Sequence, residues 1–153
     1  MRMLDALLRL AGSLAVSEGT SRRRRGVSTA YYAVFHRLAK LCLDQVQGVD
    51  GQLSEEEQER VYRALDHGSL KTTMLHGDIA RHPILASLGN DIVVLQSERN
   101  RADYLPPKRG MFPLPDSRDL VDRAQRVVEA LDALGPSDRR LLAIHLLFKK
   151  RPQ

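Results

Sequence analysis

The segment from Val27 to Gln47 constrains the fold most, because it contains neither glycine nor proline and so has no local helix breaker. Its apolar residues recur at alternating intervals of four and three, which is the spacing of one face of an α-helix. These residues are Val27, Tyr31, Val34, Leu38 and Leu41, and Ala30, Phe35 and Cys42 widen the stripe. A second, more polar face carries Thr29, Tyr32, Ala33 and His36. We therefore predict a long helix that packs against other helices and carries chemically useful groups on its flank.

The same helical spacing recurs in two later segments. One runs through Leu85, Leu88, Ile92, Leu95, Arg99 and Ala102, and the other through Leu120, Ala124, Val127, Leu131 and Leu134. We also predict an N-terminal helix within residues 1–18 and a C-terminal helix within 137–150, and no segment shows the alternation of a strand. The predicted fold is all-α: an up-and-down helical bundle of about four long helices plus short extra helices, formed by residues 1–153 as a single domain.

Length and composition indicate the number of domains and the cellular compartment that we expect for this protein. The 153 residues are enough for one domain with its own core, and they contain no apolar run long enough to span a membrane. The hydrophobic stretch near the N-terminus is interrupted by charges, so we interpret it as an amphipathic helix and not as an export signal. The only cysteine, Cys42, falls on an apolar stripe and cannot form an internal disulfide. We expect a cytoplasmic protein without a membrane partner.

Several residues have the properties of helix caps. Thr20 or Ser21 is expected to begin the second helix, and Ser54 with Glu57 forms a capping-box pattern. Gly68 is expected to end the following helix, and Asp116 or Ser117 to begin the helix after the proline-rich segment 105–115.

Charge is unevenly distributed along this basic chain, whose formal net charge is +5. Arg22, Arg23, Arg24 and Arg25 are consecutive and immediately precede the long apolar stripe. Arginines in the first turn of a helix oppose its dipole, at a cost of roughly 0.3–1 kcal/mol each where they are exposed. Two interpretations follow: a solvated charge cluster just outside the helix, or a patch that binds phosphate groups.

Arg99 occupies a position in the apolar stripe of its helix. Because a buried guanidinium without partners is costly, Arg99 must meet an anion or carbonyl, or open into a cleft. Asp103, four residues later, allows an intrahelical ion pair that closes the end of the bundle. The alternative is an arginine in a cleft lined by Asn100, Asp103 and Tyr104.

Familiar catalytic and metal-binding motifs are absent from the sequence. It has no glycine-rich phosphate loop, no paired-cysteine zinc spacing and no His-Glu-x-x-His. The five histidines do not recur at i, i+4, so we expect no preformed metal site and no cofactor. His67, His76 and His82 fall in short or irregular segments, and we expect them to be surface or capping residues.

Two segments together resemble one family. RRRRGVSTAYYAVFHRLAKLCL is similar to the signature helix of HEPN domains, with its basic lead-in followed by a serine and Ala-Tyr-Tyr-Ala-x-Phe-His. SERNRADY, at residues 97–104, resembles the arginine-rich end of a later HEPN helix. The resemblance implies an α-helical bundle that commonly forms dimers. It also implies a place in prokaryotic toxin–antitoxin, defence or nucleotidyltransferase-associated systems.

Many HEPN domains are metal-independent ribonucleases that use an arginine, often followed by a polar residue, and a histidine four to six residues later. Arg99-Asn100 matches the beginning of that motif, but Asp103-Tyr104 stands where the histidine is expected. His36, on the other signature helix, could supply an imidazole if the two helices face each other.

Two functional hypotheses follow from the resemblance. The first is a binding module for RNA, a nucleotide or a nucleotidyltransferase-type partner, which the missing histidine favours. The second is an endoribonuclease in which Arg99 binds the scissile phosphate and Asp103 or His36 transfers protons. In that hypothesis Asn100 and Tyr104 position the phosphate. The residues expected to contact nucleic acid are Arg22, Arg23, Arg24, Arg25, Arg101 and Tyr32. The apolar segment from Leu141 to Phe148 is expected either to pack across the bundle or to supply a dimer contact, and we expect a homodimer.

Overall fold

The computed structural model describes residues 2–48 and 51–149, and this part of the chain forms eight α-helices and no strand. The predicted all-α helical bundle is therefore confirmed. The helices are α1 (Arg2–Ala15), α2 (Thr20–Gln47), α3 (Glu55–Ala64), α4 (His67–Met74), α5 (Gly77–Ala80), α6 (Leu85–Tyr104), α7 (Leu114–Ala133) and α8 (Pro136–Leu147). Within these described residues, no helix is long and apolar enough to cross a membrane.

The long helix α2 is the centre of the bundle and packs against α1, α6, α7 and α8. The residues of its predicted stripe are buried, as are the stripes of α6 and α7, including Arg99. Cys42 is fully buried and unpaired, in agreement with its place on the stripe. The predicted core therefore follows directly from the spacing of apolar residues.

Gly26 sets the distance between α1 and α2. A Cβ atom added at this position would lie 2.8 Å from the backbone nitrogen of Ala15 and 3.0 Å from the carbonyl oxygen of Ala11. Only a residue without a side chain allows this backbone-to-backbone approach. The start of α2 is thereby held against the end of α1.

The helix ends agree with the predictions only in part. Ser54 and Glu57 form the expected capping box. Neither Thr20 nor Ser21 caps α2, because the helix begins at Thr20 after Gly19, whose φ of 91° suits glycine. The prediction for Gly68 is wrong, because it lies in the first turn of α4, where its N–H donates to the carboxylate of the N-cap residue Asp66.

The predicted start of α7 is also wrong. Asp116 and Ser117 lie inside the helix, which begins at Leu114 after Pro113 and carries Pro115 in its first turn. Proline is accommodated there because the first-turn N–H groups have no intrahelical acceptor. The hydroxyl of Ser117 instead donates to the carbonyl oxygen of Ala15, at 2.7 Å, and so links α7 to the end of α1.

The last helix buries one face and leaves apolar groups on another. Leu142, Ala143 and Leu146 are buried, whereas Ile144 is 46% exposed and Phe148, which follows the helix, is 74% exposed.

Candidate functional site

The four consecutive arginines lie inside α2, not before it. The side chains of Arg23 and Arg24 are partly buried and bind backbone carbonyls. Arg23 donates from Nε to the carbonyl oxygen of Phe112, at 2.8 Å. Arg22 and Arg25 are exposed. The cluster is therefore divided between two arginines that hold the fold together and two that face solvent.

Arg24 fastens the end of α6 to the start of α2. Its Nε donates to the carbonyl oxygen of Ala102 at 2.8 Å, and Nη2 donates to that of Leu105 at 2.6 Å. The last carbonyls of a helix have no intrahelical donor and carry the negative end of the dipole, so a guanidinium is a favourable partner. This contact helps to offset the cost of placing arginines in the first turns of α2.

A surface cleft of about 340 Å³ lies at this junction and is lined by Ser21, Arg24, Arg25, Ala102 and Asp103. The structure thus brings two of the predicted nucleic-acid contacts together with Asp103 from the predicted catalytic set. Asp103 is neutralised by Arg99, since its Oδ2 lies 2.9 Å from Arg99 Nε. The charges of Arg24 and Arg25 therefore dominate the cleft.

Arg99 is surrounded by partners. Besides the ion pair with Asp103, its Nη2 donates to the hydroxyl of Tyr32 at 2.6 Å, and its Nη1 donates to Asn100 Oδ1 at 3.3 Å. The guanidinium carbon lies between 5.2 and 5.5 Å from the ring centres of Tyr31, Tyr32 and Tyr104, within range of cation–π attraction. Four of the five predicted catalytic residues therefore form one cluster with Tyr32.

The side chain of Arg99 is only 9% exposed, yet its charge is well supported. Burial alone would lower the pKa of Arg99, but the hydrogen bond to Tyr32 and the nearby Tyr104 and Asp103 outweigh burial and raise it. The predicted ion pair with Asp103 forms. Asp103 also lines the cleft between α2 and α6, but Arg99, Asn100 and Tyr104 are not among its lining residues.

The ring of His67, the first residue of α4, lies beside two of the tyrosines around Arg99, 5.5 Å from the ring centre of Tyr31 and 5.8 Å from that of Tyr32. Its Nδ1 is hydrogen-bonded to the hydroxyl of Tyr31, at 2.7 Å, and its ring stacks on Phe35 with 3.9 Å between ring centres. The side-chain amide of Gln96, on α6, donates to the backbone carbonyl of His67. Three helices therefore fix this histidine beside the tyrosines that surround Arg99.

Burial and the charge of Arg99 lower the pKa of His67; the charge of Asp66 opposes this shift and His36 adds a small further lowering. A lower pKa favours the neutral imidazole at physiological pH. Tyr31 is fully buried, and burial raises the pKa of its hydroxyl, so it remains a neutral hydrogen-bond partner. The site thus places the permanent cation of Arg99 close to the neutral imidazole of His67.

His36 and Arg101 are not drawn into the cluster in the same way. His36 is half-buried beside Phe35 and Tyr62, burial lowers its pKa, and its Nδ1 has no hydrogen-bond partner among the described residues. Arg101 pairs with Glu98 and lies over the ring of Phe112, in a different depression from the cleft. Neither contacts Arg99 within the part of the chain that the structure describes.

His67 is the residue that sequence reasoning missed. The segment Asp66-His67-Gly68 predicts the end of a helix, whereas in the structure Asp66 is the N-cap of α4. No local signal distinguishes His67 from a capping or surface residue, because its contacts are with residues 29 to 36 positions away. Only the packing of α4 against α2 and α6 reveals it.

Comparisons of the chain with protein-family models, with curated proteins and with solved structures find no match. The resemblance to HEPN domains therefore depends on the two sequence segments, and the function has to be argued from the geometry of the site.

Proposed function

We propose that the chain is an HEPN-like module that binds RNA or a nucleotide in a prokaryotic defence or toxin–antitoxin system. The observation that carries this proposal is the cleft lined by Arg24, Arg25 and Asp103 at the junction of α2 and α6. Arg99 compensates the charge of Asp103, so the cleft and Arg22, which is exposed on the same helix as Arg24 and Arg25, offer positive charge to a phosphate backbone.

The experiment compares two double variants with the same change in net charge. Arg22→Gln with Arg25→Gln removes the two exposed arginines of α2. Arg60→Gln with Arg63→Gln removes two exposed arginines of α3, which pair with Glu56 and Glu59 of the same helix. Binding of fluorescently labelled single-stranded RNA is measured by anisotropy over a range of salt concentrations.

Each phosphate contact on a single strand contributes about 0.7 to the slope of log affinity against log salt, so the first double variant should lower that slope by about 1.4. The control should leave the slope unchanged, because α3 is not part of the cleft. Equal losses in the two variants would show that net charge alone is responsible and would contradict the proposal. So would an affinity of the original chain that does not depend on salt.

The second candidate function is a metal-independent ribonuclease, which is favoured by the position of His67 beside the Arg99 cluster. A neutral imidazole can take the proton of a ribose 2′-hydroxyl, while a guanidinium stabilises the charge that develops on the phosphate. In this proposal His67 occupies the role for which the sequence suggested His36 or Asp103. Asn100 and Tyr104 position the phosphate.

Degradation of transfer RNA in the presence of a chelator tests the nuclease. The chain should cleave RNA, whereas His67→Asn and Arg99→Lys should each lose at least about 100-fold in rate, in line with the usual contribution of a general base or an electrostatic contact. His36→Asn is the matched control and should retain activity. Intact RNA with the original chain, or equal rates for all four proteins, would rule this candidate out.

A homodimer is proposed in addition, through the exposed groups at the end of the chain. Ile144 and Phe148 present apolar surface that α8 does not bury against the bundle. Sedimentation should show a dimer that Phe148→Ser converts to a monomer. A monomeric original chain would contradict this proposal.

The resemblance also supports a nucleotidyltransferase-type partner, and the free thiol of Cys42 supports a cytoplasmic location. Co-expression with a nucleotidyltransferase encoded beside this chain should yield a stable complex on gel filtration. Separate elution of the two proteins would contradict the partnership.

A further inference from the structure

A second group of ionisable side chains lies away from the Arg99 cluster, where α5 meets α8. It consists of His76 and Asp78, at the start of α5, and His145, on α8. One potential ligand atom from each of the three lies within 4.8 Å of the other two. Among the described residues the group does not line the cleft between α2 and α6, so it is independent of the proposed RNA-binding site, although the groove beside it also includes Ile144 and Phe148 of the proposed dimer contact.

We propose that His76, Asp78 and His145 bind a divalent first-row transition metal such as Zn²⁺. Asp78 Oδ2 lies 3.2 Å from His145 Nε2 and 3.7 Å from His76 Nδ1. Two ligand atoms that are each about 2.1 Å from a tetrahedral zinc ion lie about 3.4 Å apart, so both separations require only small side-chain movements. Asp78 is 57% exposed and can make that adjustment.

The chemistry of the three groups selects the class of metal. Two imidazoles and one carboxylate suit zinc and its neighbours in the first transition row, whereas magnesium and calcium prefer an all-oxygen set. Three protein ligands leave at least one position for water or another ligand. A surface groove of about 610 Å³ lies alongside, and its lining includes both histidines together with Thr72 and Thr73.

Metal binding would change a local contact. His76 Nδ1 accepts a hydrogen bond from the backbone N–H of Asp78, at 3.2 Å, and so caps α5. The lone pair used for this bond is the one directed toward Asp78, so a metal at Nδ1 exchanges the cap for a metal–nitrogen bond. The exchange links the α5 turn to α8 through the ion, and the metal should raise the melting temperature of the chain.

The test uses the untagged full chain after removal of metals with a chelator. Titration with Zn²⁺ by calorimetry should give one site per chain, and Mg²⁺ should give none. His145→Ala and Asp78→Asn should each weaken the binding at least about 10-fold, because even outer-shell partners of a metal contribute that much. The matched control is Asp138→Asn. Asp138 lies on α8, as His145 does, but its carboxylate pairs with His82, at 3.0 Å, outside the cluster.

Asp78→Asn keeps the test valid if His145→Ala misfolds, because Asp78 is exposed and asparagine has the same shape as aspartate. Circular dichroism checks each variant before titration. The proposal also predicts that Zn²⁺ raises the melting temperature of the original chain and of Asp138→Asn, but not of Asp78→Asn. Absence of zinc binding by the original chain would overturn the proposal. So would zinc binding that is unchanged in both ligand variants, because the ion would then bind elsewhere.

Discussion

The hydrogen bond between Tyr32 and Arg99 offers a sharp test of how the candidate site is held together. Tyr32→Phe removes only the hydroxyl that accepts from Arg99 Nη2, at 2.6 Å, and keeps the aromatic ring. Hydrogen bonds to charged groups contribute about 1.5–3 kcal/mol net. Because the side chain of Arg99 is only 9% exposed, water can replace the lost acceptor only in part. The ion pair with Asp103 remains, so we expect a loss of about 2 kcal/mol in the free energy of unfolding, below the 3–5 kcal/mol of breaking a buried ion pair.

The matched control is Tyr104→Phe on the same cation. The ring of Tyr104 lies 5.3 Å from the guanidinium carbon, but the residue is 70% exposed and its hydroxyl makes no hydrogen bond within the described residues. Its loss should change the free energy of unfolding by less than about 0.5 kcal/mol. Urea unfolding followed by circular dichroism, with linear extrapolation to water, measures both variants.

A double-mutant cycle isolates the pair itself. Combining Tyr32→Phe with Arg99→Met should give a coupling energy of about 1–2 kcal/mol, because each single variant removes the same hydrogen bond. Equal effects of Tyr32→Phe and Tyr104→Phe would refute the reasoning. Additivity of the cycle to within about 0.5 kcal/mol would refute it too, since independent sites behave in that way.

Three further predictions follow from burial and packing. Burial raises the pKa of the Cys42 thiol from 9.0 to about 12, so a thiol reagent at neutral pH should react with the folded protein at least about 1000-fold more slowly than with the urea-unfolded chain; comparable rates would contradict the buried position. The pKa values of His67 and His36 lie below the ordinary 6.5, so the unfolded chain takes up these protons first as the pH falls. The free energy of unfolding should therefore be largest above about pH 7 and decline as the pH falls through about 6.5. In His67→Asn, the free energy of unfolding measured with urea should decline less as the pH falls. An unchanged pH profile would contradict the contribution of His67. Gly26→Ala should destabilise the protein by about 1–3 kcal/mol, because the added methyl group meets the backbone of α1. Gly12→Ala, in open space on α1, should stabilise it by up to about 1 kcal/mol. If thermal unfolding shows that both glycine substitutions change the stability in the same direction, the close approach at Gly26 is contradicted.

The sequence by itself determined the helical class and the core. The stripes of α2, α6 and α7 could be predicted because the period of a helix is local, and so could the Ser54 capping box, whose partners are three residues apart. The predicted start of α7 failed because a distant contact and a first-turn proline outweighed a local preference. The hydroxyl of Ser117 reaches the end of α1 instead of capping α7.

The candidate sites were decided largely by the tertiary structure. The sequence placed Arg99 beside Asp103 because those residues are one helical turn apart. It could not show that Arg24 binds the end of α6, or that His67 meets Tyr31 across 36 residues. His145 meets Asp78 although the two residues lie on helices that are far apart in the chain. Periodicity reports which face of a helix is buried, but the groups that a buried or half-buried polar side chain meets depend on how the helices are arranged around α2.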